Sequence, residues 1–142
     1  LENVKFPENT LITPHPLELA RLLKIEKDEI LENRIETAQL AAKKFNVTVV
    51  SKGLRTIIAD KDENVYINST GNNALAKSGT GDVLAGMIAG FAAQTCDVLM
   101  ASQIGIFLHG LAGDIYRDKN NEYSLTASEL IDYIPHAINN VL

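Results

Sequence analysis

Ser78-Gly79-Thr80-Gly81-Asp82 stands immediately ahead of an apolar run that begins at Val83. Glycines on both sides of Thr80 let successive backbone N–H groups turn toward one point. A helix starting there aims the positive end of its dipole at the same place. Such a nest suits a phosphate, above all the charge that develops during phosphoryl transfer, and Gly79, Thr80 and Gly81 are its candidate anion hole. Asp82 is the discordant residue, because a carboxylate repels an anion bound beside it. It either caps the helix and complements its dipole, or it acts as a general base that takes a proton from a hydroxyl while the nest holds the incoming phosphoryl group. Spacing alone leaves both readings open, since short Gly-rich turns are weak signals.

The other chemistry-bearing residues are scattered. His15 lies between Pro14 and Pro16, which hold it in an extended turn. Lys52 ends a β-branched run, where a lysine is ordinarily solvated, but Gly53 beside it permits close approach of a ligand. His109, among apolar residues, reads as a hydrogen-bonded core or interface histidine, and His136 as a surface residue. The three histidines show no metal-ligand spacing, so a structural zinc site is not expected. Cys96 is expected to be a small buried apolar residue. Asp97 reads as a helix cap, and Asp114 as part of a solvated helix face with no role. The acidic turn over 60–64 lacks the length and spacing of a calcium loop.

The elements that must position these residues follow from periodicity. Leu11-Ile12-Thr13 is a short apolar run stopped by the prolines. Leu17 to Leu23 has helical spacing, with Leu17, Ala20 and Leu22/Leu23 on one side. Asp28 is placed to cap a helix running to Phe45, with Ile30/Leu31, Ile35, Ala38, Ala42 and Phe45 as its buried stripe. The period then changes: Val47–Ser51 and Thr56–Ala59 read as strands, and Val65–Ile67 as the partner of the second in a hairpin. From Gly81 the pattern is helical. Val83–Gln94 is apolar on nearly every face, so it is expected to be central, with Gly86 and Gly90 admitting a close neighbour. A second helix from Val98 to about Arg117 carries Ile104, Leu108, Leu111 and Ile115. A third is capped by Thr126 or Ser128 and interrupted or restarted at Pro135. A helix feeding a strand gives an α/β layered fold, with strands in the first half and helices in the second.

At 142 residues the chain has the length of one domain, and 46% hydrophobic with 22% charged residues excludes disorder. Thirteen Lys and Arg against eighteen Asp and Glu leave a net charge of −5 spread along the chain. No nucleic-acid partner is therefore expected. The longest apolar run, Val83–Ala93, spans 11 residues, below the roughly 20 a membrane helix needs, and no membrane partner is expected. A single cysteine and no recognisable signal peptide make a cytoplasmic location the default. The first residue is leucine rather than methionine, so the chain need not begin where its gene product does.

The stretch Gly71-Asn72-Asn73-Ala74-Leu75-Ala76-Lys77-Ser78-Gly79-Thr80-Gly81-Asp82-Val83-Leu84-Ala85-Gly86 resembles the signature of the NAD(P)H-hydrate dehydratases, members of the ribokinase-like superfamily. Thr13-Pro14-His15-Pro16-Leu17-Glu18 is similar to that family's Thr-Pro-His-Pro-Gly-Glu segment. Lys52-Gly53, followed by Thr56, is similar to its nucleotide-contacting loop. Three motifs in the right order cover nearly the whole chain, whereas Gly-Xaa-Gly-Asp alone would indicate only the superfamily. The family commonly has Pro-Gly at Asn73-Ala74, and Gly at Leu17 and Ser78. None of these departures removes a reacting group. The family's domain is roughly twice this length, so the chain is expected to be the C-terminal portion of a ribokinase-like domain.

The resemblance implies repair of hydrated NADH or NADPH (NADHX, NADPHX). A phosphoryl group from ADP or ATP, with Mg²⁺, is passed to the ring hydroxyl, and phosphate is then expelled. Asp82 would be the base contacting the hydrated ring, His15 would contact the hydrated dinucleotide, and Gly81 would touch the nucleotide. The loop Lys52-Gly53-Leu54-Arg55-Thr56 would hold the AMP part of the donor. No residue is singled out as an Mg²⁺ ligand. A homo-oligomer is expected, because families of this fold often assemble. Two alternatives remain: a small-molecule kinase of the same superfamily, which fits the Gly-Thr-Gly-Asp turn but fits His15 and Glu18 less well, and a nucleotide-binding fragment without turnover.

Overall fold

Strand β2 (Thr48–Ser51) is buried at every position, the burial of a strand covered on both faces, and its β-branched sequence fits that setting. It pairs in parallel with β1 (Leu11–Ile12) and antiparallel with β3 (Ile57–Ala59), which in turn pairs antiparallel with β4 (Val65–Ile67). The sheet order is therefore β1-β2-β3-β4. The β3–β4 hairpin is built on Asp60, whose carboxylate accepts from Asp62 N–H, Asn64 N–H and Asn64 Nδ2 at 2.9–3.0 Å. The acidic turn is thus an Asx-type turn that satisfies its own backbone.

The computed structural model describes residues 5–142, and its contacts divide the chain into two compact units. One runs up to Asn68 and takes in Asp97–Leu99; the other comprises Ser69–Cys96 and Met100–Leu142.

In the first unit, helices α1 (Pro16–Leu23), α2 (Lys27–Glu32) and α3 (Arg34–Phe45) lie between β1 and β2 in the chain. The single helix expected from Asp28 to Phe45 is broken at Asn33, where φ is −124° and ψ 54°. Ile30, Thr37, Ala38, Ala41 and Ala42 are buried, while Leu31 and Ile35 are exposed. The core face of α1 is likewise Leu19, Ala20 and Leu23, and the expected Leu17 is exposed. Leu19, Ile30, Ala38, Ala42, Val49 and Ala59 form the centre of this core.

In the second unit, a 3-10 turn at Asn73–Leu75 precedes α4 (Thr80–Thr95), followed by α5 (Val98–Lys119) and α6 (Ala127–Val141). Its core joins Ala74, Leu108, Ala112, Tyr116, Leu125, Leu130 and Ala137. Thr126 caps α6, with Glu129 closing a reciprocal capping box. Pro135 lies inside α6 without ending it. It is exposed, where water can serve the Ile131 carbonyl that loses its donor.

Two expectations are corrected here. Cys96 is exposed and takes a left-handed conformation (φ 55°) that closes α4, because the chain must turn there before Asp97. The Asp97 carboxylate accepts from Leu99 N–H at 2.9 Å, as a cap does. α4 is not central, since only Thr80, Leu84 and Ile88 are buried. Gly86 and Gly90 face open space; among the glycines inside helices, those in tight contact are on α5. A Cβ at Gly105 would meet Ile88 at 2.8 Å, at Gly110 it would meet Thr70 at 2.2 Å, and at Gly113 Leu75 at 2.8 Å. α5 is also long and apolar enough by composition to cross a bilayer, with half of that window buried within the structure.

Candidate active site

His15 is the N-cap of α1. Its N–H donates to Glu18 Oε2 at 2.7 Å, and its Nδ1 accepts from Glu18 N–H at 3.2 Å. The accepting Nδ1 places the proton of the neutral ring on Nε2, which lies 3.4 Å from Glu18 Oε1. The extended turn between the two prolines therefore exists as predicted, and its imidazole is about half exposed. Lys52 is tied to the same place. Its N–H donates to Pro14 O at 2.9 Å, and its ammonium lies 3.9 Å from Glu18 Oε2. Glu18 thus stands between His15 and Lys52.

The loop after Lys52 needs glycine at 53, where φ is +145°. A Cβ there would meet the Arg34 guanidinium at 3.0 Å. Arg34 was not found from the sequence. Its Nη1 donates to Leu54 O and its Nη2 to Ser51 O at 3.4 Å, so a cation on α3 holds both sides of the loop. Partial burial pushes its pKa below the usual guanidinium value, yet a guanidinium stays charged. Arg55 adopts φ 54°, Leu54 is exposed, and Thr56 Oγ1 donates to Gly53 O at 3.0 Å. Lys52, Arg34 and Arg55 give this part of the first unit a cationic character suited to a phosphate-bearing ligand. The Ser51 hydroxyl, just before the loop, is buried without a hydrogen-bond partner among the described residues.

In the second unit the Gly-rich turn opens α4 as predicted. Gly79 is the N-cap in a left-handed conformation (φ 87°), and Thr80 is the first helical residue. Gly79 O accepts from both Asp82 N–H and Val83 N–H at 3.1 Å. Among the described residues the Gly81 N–H has no hydrogen-bond partner, so one helix-terminal donor is open at the turn. Thr80 is buried, and its hydroxyl donates to Leu75 O at 2.7 Å and Lys77 O at 2.9 Å. Its side chain therefore braces the turn, and its backbone N–H donates to Lys77 O at 3.4 Å.

The structure also bears on Asp82. The residue is exposed in the first turn of α4, it makes no side-chain cap bond, and its carboxylate pairs with nothing among the described residues. A capping carboxylate would bond the helix terminus; this one is left free beside an open donor.

His109 and Asp114 complete the neighbourhood. His109 is buried, with Nε2 2.9 Å from Thr80 O, and burial pushes its pKa below 6.5 against the opposing effect of that hydrogen bond. Asp114 is not a solvated helix face. Its oxygens accept from Gly71 N–H and Asn72 Nδ2, each at 2.8 Å. Periodicity missed it because an acidic residue one turn before Arg117 and Asp118 looks like a surface charge. Among the described residues, no three His, Cys, Asp or Glu side chains cluster as a metal site.

The family model for NAD(P)H-hydrate dehydratase matches residues 2–136. The chain belongs to this family. As a dehydratase-family chain it is 41% identical over 131 residues to the bifunctional NAD(P)H-hydrate repair enzyme of Moorella thermoacetica, a match covering 92% of this chain and 25% of that protein. The solved ADP/ATP-dependent NAD(P)H-hydrate dehydratase of Bacillus subtilis, co-crystallised with ATP and Mg²⁺, superimposes with a TM-score of 0.94 at 34% identity. That match covers all of this chain and 54% of the other. A ribokinase-like superfamily protein of Enterococcus faecalis matches with a TM-score of 0.77 and 30% identity, over 96% of this chain and 46% of its own. The fold is thus ribokinase-like, and this family chain spans about half the length of the solved dehydratase.

Proposed function

We propose that the chain carries the phosphoryl-transfer machinery of a nucleotide-dependent dehydratase that restores NADH and NADPH from their hydrates. The observation that carries the reading is the pairing at the start of α4: a Gly81 N–H and a neighbouring Asp82 carboxylate that both lack partners among the described residues. The solved Bacillus relative, named as ADP/ATP-dependent and crystallised with ATP and Mg²⁺, supports the choice of donor.

Asp82 takes the proton from the hydroxyl of the hydrated ring as that oxygen attacks the terminal phosphorus of ADP or ATP. The new O–P bond forms while the bond to the departing AMP or ADP breaks. The Gly79–Gly81 backbone meets the charge that develops on the phosphoryl oxygens. The ring C–O bond then breaks, phosphate leaves, and loss of a proton from the neighbouring carbon restores the reduced nicotinamide. The loop Lys52–Thr56, with Arg34 behind it, takes the AMP portion of the donor, and His15 contacts the hydrated dinucleotide. Mg²⁺, bound with the nucleotide, would shield the donor's phosphates. With no carboxylate cluster among the described residues, it would be carried mainly by the nucleotide.

Further parts of the reading are that the chain is the C-terminal portion of a longer ribokinase-like domain, acts in the cytoplasm as a homo-oligomer, and has neither a nucleic-acid nor a membrane partner. The test is recovery of reduced-nicotinamide absorbance when the protein, Mg²⁺ and ADP or ATP are added to hydrated NADH. Recovery with release of phosphate supports the dehydratase. A stable phosphorylated product would instead identify a kinase, and nucleotide binding without either product would identify a binding fragment.

A further inference from the structure

The segment that ends in the Gly-rich turn makes its bonds to one arc of α5. Thr70 Oγ1 donates to Phe107 O at 2.8 Å. Gly71 N–H and Asn72 Nδ2 donate to the two oxygens of Asp114. Asn72 Oδ1 accepts from Ala74 N–H at 2.8 Å and so starts the 3-10 turn. The Thr80 hydroxyl bonds Leu75 O and Lys77 O from the far side, and His109 holds the Thr80 carbonyl. Between His109 and Asp114, Gly110 and Gly113 lack the side chains that would strike Thr70 and Leu75.

We propose that His109 and Asp114 are positioning residues, which clamp the two ends of the segment from Gly71 to Thr80 onto α5 and thereby fix the phosphate-taking turn before substrate arrives. The inference rests on the function proposed above for that turn. Its physical basis is that a turn built on glycines has many conformations open to it, so its donors stay in place only when its surroundings fix them. Donors fixed in advance act on developing charge more than on ground-state binding. Both ends of the segment are held by buried or half-buried groups with good geometry, one of them the Asp114 carboxyl group accepting two bonds.

The test uses His109→Phe, which fills the space without a donor, His109→Gln, which restores an N–H, and Asp114→Asn, which keeps shape but sets one amide against the Asn72 amide. Amide hydrogen exchange is followed across residues 70–82 and across α6, and kcat and KM are measured with ADP and Mg²⁺. In His109→Phe and Asp114→Asn, exchange across 70–82 rises by about tenfold or more while α6 stays protected. The kcat falls by roughly 10- to 100-fold with little change in KM for ADP, the scale expected for small misplacement. His109→Gln recovers most of both. Unchanged exchange across 70–82 overturns the inference, as does a loss of protection spread evenly over α4 to α6. Should His109→Phe fail to fold, Asp114→Asn decides by the same exchange readout. If the wild-type protein neither binds ADP nor turns over, the exchange pattern still decides the clamp, and only the proposed function falls.

Discussion

Gly79 faces Ala127 so closely that a methyl group on residue 79 would lie 3.0 Å from the Ala127 Cβ. The same glycine holds φ at 87°, so both its backbone and its surroundings exclude a side chain. Gly79→Ala is expected to lower stability by about 1–2 kcal/mol from the left-handed conformation, with a further contribution from the contact. Ala127→Gly in the same chain relieves only the contact. The double variant should therefore recover part of the loss in thermal unfolding; full recovery would show that the backbone carries no strain.

Glycines on the two long helices should respond in opposite senses. Gly86 is exposed with open space around it, so Gly86→Ala is expected to stabilise by about 0.5–1 kcal/mol through helix propensity. Gly110→Ala places a carbon 2.8 Å from the Thr70 backbone carbon, which no rotamer change relieves. A loss of about 1–3 kcal/mol or more follows. Urea unfolding of both variants checks the contrast.

Much of this was legible in the chain. Val47–Ser51, Thr56–Ala59 and Val65–Ile67 become β2, β3 and β4 within a residue or two, because β-branched runs bounded by polar turns have few other uses. The Gly-Thr-Gly-Asp turn opens a helix, and Thr126 caps the last one. Other features escaped for physical reasons. Gly86 and Gly90 show the spacing of a close contact, but spacing does not tell which face meets a neighbour. The break at Asn33 leaves the helical period almost intact, so nothing in the apolar pattern marks it. Asp114 and Arg34 work by bonding backbone groups 43 and 20 residues away in sequence, which no local pattern records.

Glu18 serves both as a cap and as a charge facing Lys52. Glu18→Gln keeps the side-chain acceptor of the capping box and is expected to stay close to wild-type stability, since a 3.9 Å half-exposed ion pair contributes little. Glu18→Ala removes the acceptor and should cost roughly 0.5–2 kcal/mol. Thermal melts of the pair separate the two roles, and equal losses would mean that the charge dominates.

The buried imidazole of His109 predicts a pH dependence. Its pKa lies below the 6.5 of an unfolded histidine, because burial outweighs the Thr80 hydrogen bond. Between the folded value and 6.5 the unfolded chain binds more protons, so stability rises with pH there. The contribution is complete above about pH 6.5 and declines as acidification passes through 6.5 toward the folded value. Stability curves of the wild type and His109→Gln should converge on acidification within that window. Parallel curves would mean that His109 is not buried in its neutral form.

In the proposed function, Asp82 removes the substrate proton at the turn. Recovery of NADH from its hydrate, with ADP and Mg²⁺, should be compared between wild type and Asp82→Asn while ADP binding is followed by calorimetry. Loss of a general base is expected to lower turnover by about 10²–10⁴-fold. ADP should bind the variant at least as well, since a negative charge has left the neighbourhood of the phosphates. Wild-type turnover in Asp82→Asn would contradict the assignment.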